Sequence, residues 1–171
     1  MASNILIAYF SHWGHSENFA KQIQKLTGGY LFEIKTDTYY PEPHDPCSIQ
    51  AHKEQLADFR PELTSQVKDM NHYETVFIGH PIWWYREPMV IRSFWEAYDF
   101  KGKKVIPFAT SGDVGIENTE KDTKKWLPDA DVRTGLRLGT HAVETSIAEI
   151  QDWLKANGVV SKNDQEMIMN N

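Results

Sequence analysis

Ser11-His12-Trp13-Gly14-His15-Ser16 follows directly on the apolar run Ile5-Leu6-Ile7-Ala8-Tyr9-Phe10. A strand that empties into a small polar turn and then a helix aims several unpaired backbone N–H groups at one point, where the helix dipole favours negative charge. Such a turn holds an anion without Lys or Arg. Ser11 and Ser16 add hydroxyl donors and Gly14 permits close backbone approach, so a phosphate monoester suits the turn. The competing reading is an ordinary strand-to-helix turn capped by serine. His12 and His15 flank the same point, and contact between either ring and a phosphate predicts tighter binding at mildly acidic pH.

Two further loops carry chemistry. Gly79-His80-Pro81-Ile82-Trp83-Trp84-Tyr85 sets three aromatic rings side by side just beyond a strand, where burying all three is difficult. At least one is expected to stack on a planar ligand, the alternative being that the rings cover the sheet edge. Thr110-Ser111-Gly112-Asp113-Val114-Gly115 has small side chains and two glycines, so its backbone N–H groups can approach acceptors on a ligand's polar rim. The nucleoside-triphosphate loop with Gly-Lys-Ser/Thr and the three-glycine dinucleotide pattern are both missing.

These loops need elements to aim them. Residues 5–10 are continuously apolar, as in a strand buried on both faces of a parallel sheet. From residue 15 or 16 to about 27, Phe19, Ala20, Ile23 and Leu26 recur at helical spacing, and Gly28-Gly29 stops the helix. Residues 30–34 alternate and read as a partly solvated edge strand. Residues 39–46 hold three prolines and read as a loop, 48–59 as a polar helix, and 63–70 as a crossover segment. The third strand spans 75–79. Pro88 opens a helix whose apolar face is Val90, Ile91, Phe94 and Trp95. The fourth strand spans 105–109, a polar helix 117–127, a weak fifth strand 132–138 and an amphipathic helix 143–154 before Gly158. Strands alternating with helices imply a three-layer α/β sandwich with a parallel sheet, and the three loops then share its carboxyl edge.

Composition sets the outer limits. With 171 residues and 40% hydrophobic content, one domain over 1–158 with a polar tail over 159–171 is expected. A net charge of -6 argues against a nucleic-acid grip and against binding an anionic membrane surface. The apolar run 5–10 is too short to span a bilayer. Cys47 is the single cysteine, which rules out an internal disulfide and fits a reducing compartment. No leader pattern opens the sequence, so a cytoplasmic location is expected. The seven histidines are scattered, without metal-ligand spacing.

A ligand with a phosphate at one end and a planar ring with a polar rim fits all three loops, and flavin mononucleotide (FMN) has these parts. The loops, in this order and after these strands, resemble the flavodoxin family, specifically its bacterial flavodoxin-like branch, over residues 4 to 157. The resemblance implies a flavodoxin-like five-stranded sheet in the order 2-1-3-4-5 with FMN at the switch point, which is the pattern of flavodoxin itself rather than a reading of these residues. It places Ser11, His12, Trp13, Gly14, His15 and Ser16 on the phosphate. Pro81, Ile82, Trp83 and Trp84 would flank the isoalloxazine, and Thr110, Ser111, Gly112, Asp113 and Gly115 would meet its polar edge. Two positions depart from the family pattern: Trp13 stands where a hydroxyl residue is common, and Asp113 where a small residue is usual. A carboxylate at 113 beside the ring would lower its reduction potential.

The function so implied is an FMN redox protein carrying electrons between a donor and an acceptor, with redox proteins or a small-molecule acceptor as partners. FMN would carry the chemistry, without a protein acid, base or nucleophile. An NAD(P)H-dependent reductase of a quinone or similar acceptor, also using FMN, and a flavin-free binding module on the same fold are the alternatives. Oligomeric state is not legible in the sequence.

Overall fold

The apolar run at the start becomes β1 (Ile5–Tyr9), and its neighbours follow the same logic. The computed structural model describes residues 3–159. In chain order the elements are β1, α1 (His15–Thr27), β2 (Tyr30–Glu33), α2 (His44–Leu56), β3 (Thr75–Pro81), α3 (Met89–Ala97), β4 (Lys104–Ser111), α4 (Glu117–Trp126), β5 (Asp131–Val132), β6 (Leu136–Gly139) and α5 (Ile147–Ala156), with one 3-10 turn over Met70–His72. All strands pair in parallel, in the order β2-β1-β3-β4-β5, and β6 also pairs with β4. The fold is the expected flavodoxin-like three-layer sandwich.

Successive side chains of a strand point to opposite faces, and here both faces are covered. Ile5, Ile7 and Tyr9 join Phe19, Phe77, Phe108, Ile150 and Trp153 on one side of the sheet, against α1 and α5. Leu6, Ala8 and Phe10 join Val76, Ile78, Val90, Ile91 and Phe94 on the other, against α2 and α3. This two-sided burial is why residues 5–10 show no polar alternation; the edge strand β2 is only half covered, with Leu31 and Phe32 packed partly on opposite faces and Tyr30 and Glu33 exposed.

Five boundaries differ from the sequence reading. The helix expected from 48 begins at His44, because Pro46 falls in its first turn, where no N–H is needed. Pro88 is not inside α3 but precedes it as the N-cap. The last helix begins at Ile147 rather than 143. The strands β3 and β4 run two residues further than expected, so Pro81, Thr110 and Ser111 end strands rather than begin loops.

The single strand expected over 132–138 is two short pieces. Asp131 and Arg133 donate their N–H groups to the Lys103 and Val105 carbonyls, so the odd-numbered residues of β4 face this edge. The next in that series is Pro107, which has no N–H to return, and the ladder breaks there. One extra residue is inserted before pairing resumes at Phe108 with Leu136. Gly135 fills the break, where a Cβ would lie 2.8 Å from the Pro107 carbonyl oxygen.

Val159 is buried. The rest of the expected tail, 160–171, lies outside the described residues. Among the described residues no helix is long and apolar enough to cross a membrane, and no group of three His, Cys, Asp or Glu is placed to hold a metal ion.

Candidate functional site

At the carboxyl ends of β1, β3 and β4 lies a cleft of about 470 Å³. Its walls bring together Ser11, His12, Trp13, His15, Ser16, Pro81, Ile82, Trp83, Trp84, Thr110 and Gly112 from the three loops singled out in the sequence. Gly14, Ser111, Asp113 and Gly115 are not on its walls. His44, Cys47 and Ser48 of α2, with Tyr85, Val114 and Thr140, complete it.

The first loop is a helix N-terminus with its donors free. Gly14 is the N-cap, at φ 94°, a left-handed conformation that glycine adopts without strain. Its N–H donates to Ser11 Oγ at 3.1 Å, closing the turn. The N–H groups of His12, Trp13, His15, Ser16 and Glu17 have no protein partner among the described residues. The Ser16 hydroxyl is engaged by the protein itself. Ser16 is 1% exposed, and its hydroxyl bonds to that of Thr110 at 2.9 Å, tying the first loop to the third. Ser16→Ala leaves the Thr110 hydroxyl buried without that partner and is expected to cost about 1–2 kcal/mol in urea unfolding, most of which Thr110→Val added to it restores.

The histidines and Trp13 close the rim. His12 Nε2 donates to the Pro41 carbonyl at 2.8 Å, and Trp13 Nε1 to the Glu42 carbonyl at 2.8 Å, so both rings lean on the segment before α2. Trp13 also stacks on His44, with centroids 6.1 Å apart. The indole at 13, where the family pattern has a hydroxyl, thus makes a wall between the turn and α2. His15 lies edge-on to His141 at 5.3 Å.

The second loop is a two-residue reversal. Trp83 N–H donates to the Arg86 carbonyl at 2.9 Å and Arg86 N–H returns to Trp83 at 3.4 Å, while Trp84 and Tyr85 have φ of 52° and 71°. Two successive positive φ values make a mirror-image turn that normally takes Asn-Gly; bulky aromatic residues there are strained. The surroundings hold it. Trp84 Nε1 donates to the Ser48 carbonyl at 2.7 Å and its ring stacks on His52 at 3.9 Å. Gln55 and Asn118 donate to the Trp84 and Tyr85 carbonyls, and Arg86 pairs with Asp122 at 3.1 Å. The three rings therefore divide. Trp83 is core, edge-on to Phe10 and Tyr40. Trp84 lies against α2, and Tyr85 stands 62% exposed at the mouth.

Arg137, which the sequence reading missed, shapes the third loop. Its guanidinium donates to Ser111 Oγ at 2.8 Å and the Ser111 carbonyl at 2.9 Å, and reaches the Gly112 carbonyl as well. In a trans peptide the next N–H points opposite to the carbonyl, so the N–H groups of Gly112 and Asp113 are turned away from Arg137. Neither has a protein partner among the described residues. Asp113 itself is exposed, outside the cleft wall.

Two buried groups nearby are held uncharged. Burial pushes the Cys47 thiol up to about 11, and Glu54 adds to it. His80, at the end of β3, is fully buried, its Nδ1 donating to the Pro81 carbonyl at 2.9 Å while Nε2 has no partner. Burial holds its pKa down to about 4, against the ordinary 6.5. Between these values the unfolded chain binds the proton and the folded one does not, so stability falls as pH drops through this window. About 2 kcal/mol should be lost between pH 7 and 5 through this group, and His80→Gln should flatten that limb in urea unfolding.

The donor set fits a phosphorylated planar ligand: free N–H groups at one end, an indole wall, and outward amides at the other. Among curated proteins no match was found. Three solved structures are similar. A provisionally named flavoprotein of Bacteroides uniformis is 35% identical, with 88% of this chain and 99% of that one covered and a TM-score of 0.78. One of Bacteroides eggerthii, also provisionally named, is 32% identical over 91% and 98%, again at 0.78. A flavoprotein of Lactobacillus acidophilus in complex with FMN is 20% identical over 89% and 99%, at 0.73, and shares the fold. The family model described as flavodoxin matches residues 4–157, so the chain belongs to the flavodoxin family.

Proposed function

We propose that the cleft binds FMN and that the protein carries electrons between a donor and an acceptor. The observation that carries this reading is the run of unpartnered N–H groups at the start of α1, opening on the same cleft as the Trp83 wall and the Gly112 amide. The phosphate is held by these N–H groups, with Ser11 fixing the turn. Two relatives more than 30% identical bear the name flavoprotein, and one protein of the same fold was solved with FMN, which supports the choice of ligand. FMN, when bound, supplies one- and two-electron chemistry, and the chain supplies position and electrostatics.

Trp83 gives the ring a rigid apolar face, and Trp84 is kept off the ring by its bond to Ser48 and its stack on His52. Exposed Tyr85 leaves the mouth of the cleft accessible to a partner. Asp113, standing outside the cleft wall, acts on the potential only at a distance. The FMN-loaded protein mixed with NAD(P)H and a quinone distinguishes carrier from reductase. A carrier consumes no NAD(P)H without an added reductase; sustained turnover by the protein alone overturns the carrier reading in favour of an enzyme.

A further inference from the structure

We propose that Glu87 and Asp122 form a proton-binding site behind the indole of Trp83, which takes up a proton from solvent when a planar ligand in the cleft gains negative charge. The linkage rests on the reading of the cleft as a flavin site; the proton site itself does not.

Glu87 follows the Trp83–Arg86 reversal directly, and its side chain is wholly buried. Arg92 of α3 donates from Nε to Glu87 Oε1 at 3.1 Å and from Nη2 to Asp122 Oδ2 at 3.4 Å, so two carboxyl groups share one guanidinium. Thr119 of α4 donates to Glu87 Oε2 at 3.2 Å. Arg86 is taken up by Asp122 at 3.1 Å, and Arg92 is divided further by Asp58 at 3.3 Å. Asp58 is itself held by Arg60 at 2.7 Å, and Arg60 also pairs with Glu96, so the cluster sets three guanidinium groups against four carboxyl groups, of which Glu87 alone is wholly buried. Burial first, then the Asp122 carboxylate alongside, push Glu87 up to about 8 against the pull of Arg92.

A second feature points to the same place. Behind Trp83 lies a void of about 10 Å³, lined by Tyr40, Glu54, Gln55 and Glu87 among others, close to the minimum for a single water. Trp83 walls both this void and the cleft, and its Nε1 is buried without a partner. Glu54, facing the void from α2, accepts from the Tyr40 hydroxyl at 2.7 Å and from Gln50 at 3.3 Å, and burial raises its pKa too. One indole thus stands between the cleft and a carboxyl group in low-dielectric surroundings, where charge is weakly screened. Asp122, 14% exposed, gives the proton a route from solvent that avoids the core. When an external reductant places electrons on the ligand, they stay there; a hydronium ion from solvent gives up its proton, an O–H bond forms on Glu87 and water is released.

The test has two arms. In the protein without FMN, infrared spectroscopy should show a buried carboxyl C=O band that vanishes with a midpoint near pH 8, absent from Glu87→Gln and shifted in Asp122→Asn. With FMN bound, reduction by dithionite at pH 8.5 should take up about half a proton per chain more in the wild type than in Glu87→Gln, for a one-unit rise in proton affinity. No titrating band between pH 7 and 9 overturns the site. A titrating band with equal proton uptake in the two proteins overturns the linkage. Failure of FMN to bind while the band titrates overturns the functional reading and the linkage with it, and leaves the proton site established.

Discussion

Ser11→Asp is expected to weaken FMN binding about 100-fold while leaving riboflavin binding unchanged. The Ser11 oxygen already accepts the Gly14 N–H inside the turn, so a carboxylate there competes for the amides proposed to hold the phosphate. Two like charges about 5 Å apart at an effective dielectric constant near 20 repel by roughly 3 kcal/mol, which is about two decades in dissociation constant. The substitution should not unfold the protein, because a carboxylate near a helix N-terminus is favourable by about 0.3–1 kcal/mol. Titration calorimetry with both flavins, beside a thermal melt of each protein, separates lost phosphate binding from lost fold. Equal weakening for FMN and riboflavin would place the phosphate elsewhere.

Gly79→Ala is expected to destabilise the fold by more than about 3 kcal/mol, at the upper end of overpacking penalties. Gly79 pairs with Tyr9 on one side and Phe108 on the other, in the middle of the sheet. The Phe108 ring lies across it, held by Phe19 at 4.7 Å, and an added Cβ would lie 2.0 Å from its Cε2 and Cζ atoms. Neither ring can step aside in a core this full, so the backbone must move. Phe108→Leu should relieve part of the cost, and a double-mutant cycle in urea should show a coupling of at least about 1 kcal/mol between the two positions. Additive effects would mean that the ring is not what excludes a side chain at 79.

What could be read from the sequence was local and periodic. β1, the Ser11–Ser16 turn and α1 were legible because an unbroken apolar run, a glycine and a 3.6-residue pattern follow one another. The sheet order came from resemblance rather than from periodicity. What was hidden was non-local or broke a propensity rule. The cause of the split in the last strand sits in another strand, at Pro107. The Trp84-Tyr85 reversal lacks the Asn-Gly signal its geometry normally needs, and tertiary bonds to Ser48, Gln55 and Asn118 hold it. No spacing joins Ser16 to Thr110, or Arg137 to the Ser111 and Gly112 carbonyls. Those contacts arrange the hydroxyls and amides around the cleft, and residue type alone showed neither the Ser16–Thr110 bond nor Arg137.

In the proposed arrangement one cleft binds a phosphate at the start of α1 and a flavin ring against Trp83. Titrating the flavin-free protein with FMN and with riboflavin, followed by quenching of flavin fluorescence, tests it most directly. One FMN per chain is expected, with riboflavin bound at least about 100-fold more weakly because it lacks the charged group proposed to meet those N–H donors. FMN that leaves the fluorescence unchanged, or binds no better than riboflavin, would contradict it.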